Sequence, residues 1–208
     1  MARYIGPACR LCRREGEKLF LKGERCYSSK CAVERRESAP GQHGKARSAY
    51  SDFKVRLREK QKTKRMFGLV EAQFRKYYEN AASSKGVTGT KLLVSLESRL
   101  DSIVYRLGFG ASRKEARQLV GHGHILVNGS VVNVPSYSVC AGDTVEVHEK
   151  QKKNVVVQAA MASAQSRVIP EWLALDRDAV KGTLKALPTR EQLSQSINEQ
   201  LIVELYSR

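Results

Sequence analysis

Between Ser98 and Val147 the apolar period changes from helical to alternating, and that change restricts the chain to a mixed α+β fold. Leu92, Leu93, Leu96, Leu100, Ile103, Val104 and Leu107 recur at helical spacing, and Gly108 closes the run. Ser112-Arg113-Lys114-Glu115 then has the form of a capping box, and Ala116, Leu119 and Val120 give the next helix an apolar side. Gly121-His122-Gly123-His124 ends it. The period drops to two in Ile125-Leu126-Val127, passes through Asn128-Gly129, and resumes in Val131-Val132-Asn133-Val134 up to Pro135. Asn-Gly is a favoured two-residue hairpin turn, so these runs predict an antiparallel pair. Gly142-Asp143 leads into Thr144-Val145-Glu146-Val147, a third short strand.

This helix-turn-helix plus hairpin is built to meet an anion. The helix start at Ser112 offers free backbone N–H groups and positive dipole charge, and Arg113, Lys114, Arg117 and Gln118 are left for solvent or a ligand. His122 and His124 lack further metal ligands nearby, so they read as RNA contacts or as plain loop residues. Reversing the charge of Arg113 and Arg117 together is expected to weaken RNA binding and leave the fold intact.

The charge balance supports a polyanionic partner. The 208 residues carry 37 Lys and Arg against 21 Asp and Glu, a net +16. Residues 1–65 alone hold 19 basic and 7 acidic side chains. A localised basic block points to nucleic acid more than to general solubility, although a solvated surface is the bland alternative. An anionic membrane is a poorer fit, because no basic amphipathic helix with a clean apolar face accompanies the block. No apolar stretch approaches the ~20 residues of a membrane span, and Met1 to Arg14 lacks the apolar core of a secretory signal. A soluble, intracellular chain is expected.

Cys9, Cys12, Cys26 and Cys31 form C-x2-C-x13-C-x4-C, a spacing that suits one structural Zn2+. Disulfides or unrelated buried thiols are the alternatives. Four thiolates would leave no position for water or substrate, so the metal would fold a small basic segment rather than catalyse. Arg10, Arg13, Arg14, Lys18, Lys22, Arg25, Lys30, Arg35 and Arg36 would then stand on a fixed frame. Cys140, in a Val-rich stretch, is expected to pack as a small hydrophobe.

Pro40-Gly41-Gln42-His43-Gly44 reads as a turn, followed by Lys45, Arg47 and Tyr50; it is either a phosphate clamp or a mere bend. From Asp52, read as an N-cap, a strongly basic helix runs through Lys54, Arg56, Arg58, Lys62 and Lys64, with few apolar anchors and a geometry suited to a phosphate backbone. Phe74, Tyr77, Tyr78 and Ala81 form a stripe in the next helix that reads as core before it reads as a base-stacking surface.

Leu100-Asp101-Ser102-Ile103-Val104-Tyr105-Arg106-Leu107-Gly108, Ser112 to Gln118 and Ile125 to Gly129 resemble the RNA-binding module named after the fourth protein of the small ribosomal subunit. Met1 to Pro7, Pro40 to Gly44, Leu57 to Lys62, Glu71 to Arg75 and Val168 to Leu173 are similar to the bacterial-type ribosomal family itself, in its four-cysteine, zinc-bearing form. The resemblance implies a non-enzymatic constituent of the small subunit. Such proteins bind rRNA directly at a multi-helix junction of the 5′ domain and nucleate assembly. They sit beside the third and fifth small-subunit proteins, near the channel by which mRNA enters, and contribute to decoding accuracy. Several also repress their own messenger, so the resemblance implies such a repressor role as well.

The expected organisation is a zinc module and basic arm over 1–45, a helical domain over 46–97, an inserted RNA-binding module over 98–161, and a segment over 162–208 returning to the helical domain. In that last segment Thr189-Arg190-Glu191-Gln192 reads as a helix start, with Leu193, Ile197, Leu201 and Leu205 as its stripe. The RNA-binding set is Arg10, Arg13, Arg14, Arg35, Arg36, His43, Lys45, Arg47, Tyr50, Lys54, Arg56, Arg58, Lys62, Lys64, Arg113, Lys114, Arg117, Gln118, His122 and His124. The setting is the cytoplasmic ribosome rather than an organelle's, with no membrane contact and no independent homo-oligomer. An RNA-modifying enzyme would need a catalytic domain that the residues after 161 are too few to supply. A zinc-dependent regulator would prefer duplex DNA, but the hairpin behind Gly121 is foreign to DNA-reading helix-turn-helix proteins.

Overall fold

The computed structural model describes residues 3–46, 51–165, 167–194 and 196–207. Helices α1 (Ala8–Glu15) and α2 (Ala32–Arg35) flank a short 3-10 turn, Gly23–Cys26. Then come α3 (Asp52–Met66), α4 (Glu71–Ser83), α5 (Thr88–Glu97), α6 (Leu100–Arg106) and α7 (Arg113–Gly121). Strands β1 (Ile125–Val127), β2 (Ser130–Val131) and β3 (Thr144–Val147) precede α8 (Glu149–Lys152) and α9 (Val155–Ala164). Strands β4 (Leu173–Asp176) and β5 (Lys181–Leu184) and helix α10 (Glu199–Tyr206) complete the order.

The chain divides into two compact units. Met1–Leu92 and Ser194–Arg208 form one, and Leu93–Leu193 form the other, inserted within it. The insertion therefore runs past 161, where the Ala-rich run suggested a return to the helical domain. The reason is pairing: β5 joins β3, with Val145 opposite Gly182, and β4 joins β5. The described strands form one antiparallel sheet in the order β2-β1-β3-β5-β4. Gly182 makes room for the buried Leu107 side chain, which a Cβ would meet at 2.4 Å.

The hairpin takes its expected form, with positive φ at both Asn128 (50°) and Gly129 (79°) as the tight turn demands. The Asn128 side-chain oxygen accepts from the Thr144 backbone N–H at 2.9 Å, tying the turn to β3. Strand β2 is shorter than its apolar run, ending at Val131. The long apolar helix expected from Leu92 to Leu107 is broken. Leu100 N–H donates to Tyr137 O and Asp101 N–H to Pro135 O, while Ser98 O accepts from Val139 N–H. This pairing with residues 135–139 draws Arg99 into extended backbone, and α6 starts afresh behind it. Ile103, Val104, Leu107, Phe109, Ala116, Val120, Ile125, Val145 and Val147 fill the core beneath.

In the first unit α10 lies along α3. Ser51, not Asp52, caps α3, accepting from Lys54 N–H at 3.2 Å. The capping box at Thr189 and Gln192 is present, but it starts only a 3-10 turn over Arg190–Gln192, and α10 begins later behind Asn198. Phe74 and Ala81 of α4 are buried, and Tyr78 stacks on Tyr206 of α10 at 4.5 Å, as a core stripe should. At the end of α3, Lys60 and Lys64 each hold Glu71 at 2.7 Å, and the Tyr206 hydroxyl donates to it at 2.9 Å. Burial works to raise the Glu71 carboxyl, but these three hydrogen bonds outweigh it and bring it to about 2. Its contribution is therefore complete above the ordinary carboxylate range and lost as pH falls toward that value. Urea melts of Glu71→Gln should show a smaller loss of stability than the wild type between about pH 5 and about pH 2.

Candidate nucleic-acid interface

The cysteine segment builds a cationic groove. Helix α1 presents Arg10 and Arg13, the loop around the 3-10 turn presents Arg25 and Lys30, and α2 presents Arg35 and Arg36. These six side chains, with Pro7, Cys9 and Ala32, line a cleft of about 390 Å³ with no carboxylate in its wall. Arg13 also fixes the following loop, donating from Nε to Ser38 O at 3.0 Å. Arg14, His43 and Lys45 are exposed, and Gly41 takes φ 103° in the turn before His43. Arg47 and Tyr50 lie outside the described residues. Arg25 and Lys30 stood outside the expected RNA-binding set; their place in the same basic block was the available signal.

Helix α3 behaves differently from the phosphate-tracking rod that its composition suggested. Arg56 pairs with Glu204 at 2.8 Å, Arg58 with Glu15 at 3.4 Å, Lys62 with Glu59 at 3.0 Å, and Lys64 with Glu71. Arg65 also reaches Glu15. Lys60 and Lys62 count among the buried residues. Lys54 is half-buried near the N-terminal end. Much of this helix's charge is thus matched inside its own unit.

The same holds at α7. Its N-terminus is capped by Ser112, which accepts from Glu115 N–H, while the Glu115 carboxylate turns back to accept from Ala111 N–H. Arg113 donates to Glu97 at 3.2 Å and lies over the Tyr105 ring at 4.7 Å. Arg117 reaches Asp101 at 3.4 Å, and Arg99 grips Asp101 through Nε and Nη2 at 3.0 and 2.7 Å. Both carboxylates are buried. Burial alone would raise the Glu97 carboxyl, but Arg106 and Arg113 overcome it and hold it low. The Arg113 and Arg117 side chains are only 12% and 10% exposed. Lys114, Gln118 and His122 stand exposed on the outer side of the helix and its end. His124 is half-buried, its ring 5.7 Å from that of His122, and burial with the two neighbouring histidines lowers its pKa.

None of the five cysteines is joined in a disulfide. Cys12, Cys26 and Cys31 are buried and Cys9 half-buried in one small segment, and burial followed by the charges of the other three pushes the Cys12 thiol up. The Lys22 backbone N–H points at Cys26 Sγ at 3.4 Å, the kind of bond that steadies a thiolate. Among the described residues no three His, Cys, Asp or Glu side chains are gathered closely enough to hold a metal ion. The donor chemistry and the burial of Cys12, Cys26 and Cys31 suit Zn2+, whereas the spacing of the side chains does not bring three of them together. Cys140 is exposed rather than packed, its N–H bonded to Asp143 in the turn before β3.

A helix-turn-helix backed by a small antiparallel sheet, with a cationic module ahead of it, defines a structured-RNA-binding class of protein. Residues 98–145 match the S4 domain, and residues 3–97 match the Ribosomal protein S4/S9 N-terminal domain. The chain is 57% identical to small ribosomal subunit protein uS4 of Citrifermentans bemidjiense, 58% to that of Geotalea daltonii and 60% to that of Syntrophus aciditrophicus, in each case over 100% of both chains. It belongs to the uS4 family of small ribosomal subunit proteins. These relatives are ribosomal constituents by name, in agreement with the expectation of a chain that is not an enzyme. No helix among the described residues is long and apolar enough to cross a membrane.

The burial of Arg113 and Arg117 changes the outcome expected of reversing them. Arg113→Glu with Arg117→Glu would set a new carboxylate against each of the buried Glu97 and Asp101, which keep Arg106 and Arg99 respectively, and breaking a buried pair costs up to about 3–5 kcal/mol. Urea denaturation should show that loss, whereas Lys114→Glu should stay within about 0.5 kcal/mol of the wild type.

Proposed function

We propose that the chain is a primary rRNA-binding protein of the small ribosomal subunit that holds RNA chiefly through the groove between α1 and α2. The observation that carries this is the wall of that groove, six cationic side chains with no carboxylate among them. A surface of this kind suits phosphates, while specificity comes from RNA shape, since side chains do not read the deep major groove of A-form helices. Lys114, Gln118, His122 and His124 supply a second contact region on the inserted unit, and His43 and Lys45 extend the first. The family likeness adds the finer reading: attachment at a multi-helix junction of the 5′ domain, nucleation of assembly, and a place beside the third and fifth small-subunit proteins near incoming mRNA, with an influence on accuracy. Repression of its own messenger would use the same surface. The chain works in the cytoplasmic ribosome and not as an independent homo-oligomer.

Filter binding to small-subunit rRNA with excess tRNA, across a salt series, tests the reading. Retention against tRNA is expected, with a log–log salt slope of about −0.7 to −0.9 per phosphate contact. Arg10→Glu with Arg35→Glu should weaken retention and make the slope shallower. Binding that tRNA abolishes would mean a generic basic surface.

Cys9, Cys12, Cys26 and Cys31 would hold one Zn2+, as their spacing and the burial of Cys12, Cys26 and Cys31 support. Bound there, the ion would serve as a structural crosslink, worth roughly 10–16 kcal/mol in small zinc modules. Native mass spectrometry of the purified chain should find one zinc per molecule. Cys12→Ser with Cys26→Ser should lose it, together with protease protection of residues 8–36. A metal-free chain with equal protection would count against the site.

A further inference from the structure

An aromatic pair in the cysteine segment serves neither its core nor its cationic groove. Leu19 and Leu21 are buried, at 1% and 7% exposure, while Phe20 between them faces outward. The backbone makes this reversal: Phe20 has φ 50°, a region that a bulky L-residue rarely enters and that glycine or asparagine would occupy at lower cost. The Phe20 ring stands beside that of Tyr27, centroids 5.0 Å apart and planes tilted by 31°. Tyr27 is 60% exposed and Phe20 36%, so two rings meet water side by side, that of Phe20 on a strained backbone. Strain of this kind gathers at binding sites. The neighbouring residues of the chain are polar, with Lys22, Arg25 and Lys30 exposed and Glu24 the single acid between Leu19 and Cys31. An apolar protein partner would call for more greasy surface than two rings among cations supply.

We propose that Phe20 and Tyr27 form a stacking platform for an unpaired RNA base, with Lys22, Arg25 and Lys30 meeting the phosphates on either side. Every base offers a π face, and aromatic side chains beside cations are how proteins take hold of unpaired nucleotides. The platform rests on the rRNA-binding reading and deepens it, adding a single-stranded contact to a surface otherwise read as gripping backbone.

The test uses the full-length chain and small-subunit rRNA. Tyr27→Ala and Phe20→Leu should each weaken binding about tenfold, within the range for loss of one base–aromatic stack. The salt slope should stay at the wild-type value, because stacking releases no counterions. Tyr27→Phe, which keeps the ring, should bind as the wild type does. Photocrosslinking of the unaltered protein to rRNA bearing 4-thiouridine should place a nucleotide adduct on Phe20 or Tyr27, which keeps the proposal falsifiable if a variant misfolds. Wild-type affinity in both ring-removing variants would overturn the platform and leave the rRNA reading standing. So would a crosslink map lacking both residues, or a weakening accompanied by a shallower slope, which would mean that the cationic groove had been lost instead. Failure of the unaltered chain to hold rRNA against tRNA would overturn both.

Discussion

Taking a guanidinium or ammonium group out of water is costly unless it is paired and hydrogen-bonded, most strongly by a carboxylate, and this chain has 21 acids to set against 37 bases. Where the carboxylates lie therefore decides which cations are internal and which face a partner. Glu15, Glu59, Glu71 and Glu204 draw in the charge of α3, and Glu97 and Asp101 draw in α7. The cysteine segment has no such set aimed into its groove, and there the positive charge stays uncompensated. The partition explains why a chain of net charge +16 still forms two compact units.

Composition located the basic block correctly but not its division. From the sequence, α3 and α1 both look basic, α1 through Arg10, Arg13 and Arg14 and α3 through a longer run of Lys and Arg. They differ in their acids, and those acids are distant in sequence: Glu204 stands against Arg56, and Glu15 against Arg58 and Arg65. Only the return of α10 brings Glu204 into place. One local hint was available at α7. Glu97 and Asp101 are four residues apart, as are Arg113 and Arg117, and the structure matches the first of each pair and the second of each pair. That correspondence pointed to an internal lattice rather than to an exposed RNA-reading face.

The elements read most faithfully were those fixed by local chemistry, namely the Asn128-Gly129 turn, the Ser112 cap and the Gly108 stop. Those set by long-range pairing were not legible. Nothing near Arg99 announces that residues 135–139 will draw it out of helix. Strands β4 and β5 escaped because Leu173–Asp176 and Lys181–Leu184 are short and carry Gly and Asp. Only their pairing with β3 makes them strands. At the candidate interface, the cationic groove was foreshadowed by charge, whereas Phe20 gave no hint of facing outward. Its exposure is a property of one backbone angle, and an alternating Leu-Phe-Leu run does not encode it.

The interrupted order of the first unit has a consequence for synthesis. The chain leaves that unit at Leu92 and re-enters it at Ser194, so a growing polypeptide can finish the inserted unit while α3 still lacks the helix that lies along it. Until α10 emerges, Arg56 has no Glu204, and Glu71 is without the Tyr206 hydroxyl. A nascent chain halted before Ser194 would thus carry an α3 whose Arg56 still lacks its carboxylate. Such a half-finished product differs from the finished protein in the charge that α3 leaves unmatched, which the closing helix then matches.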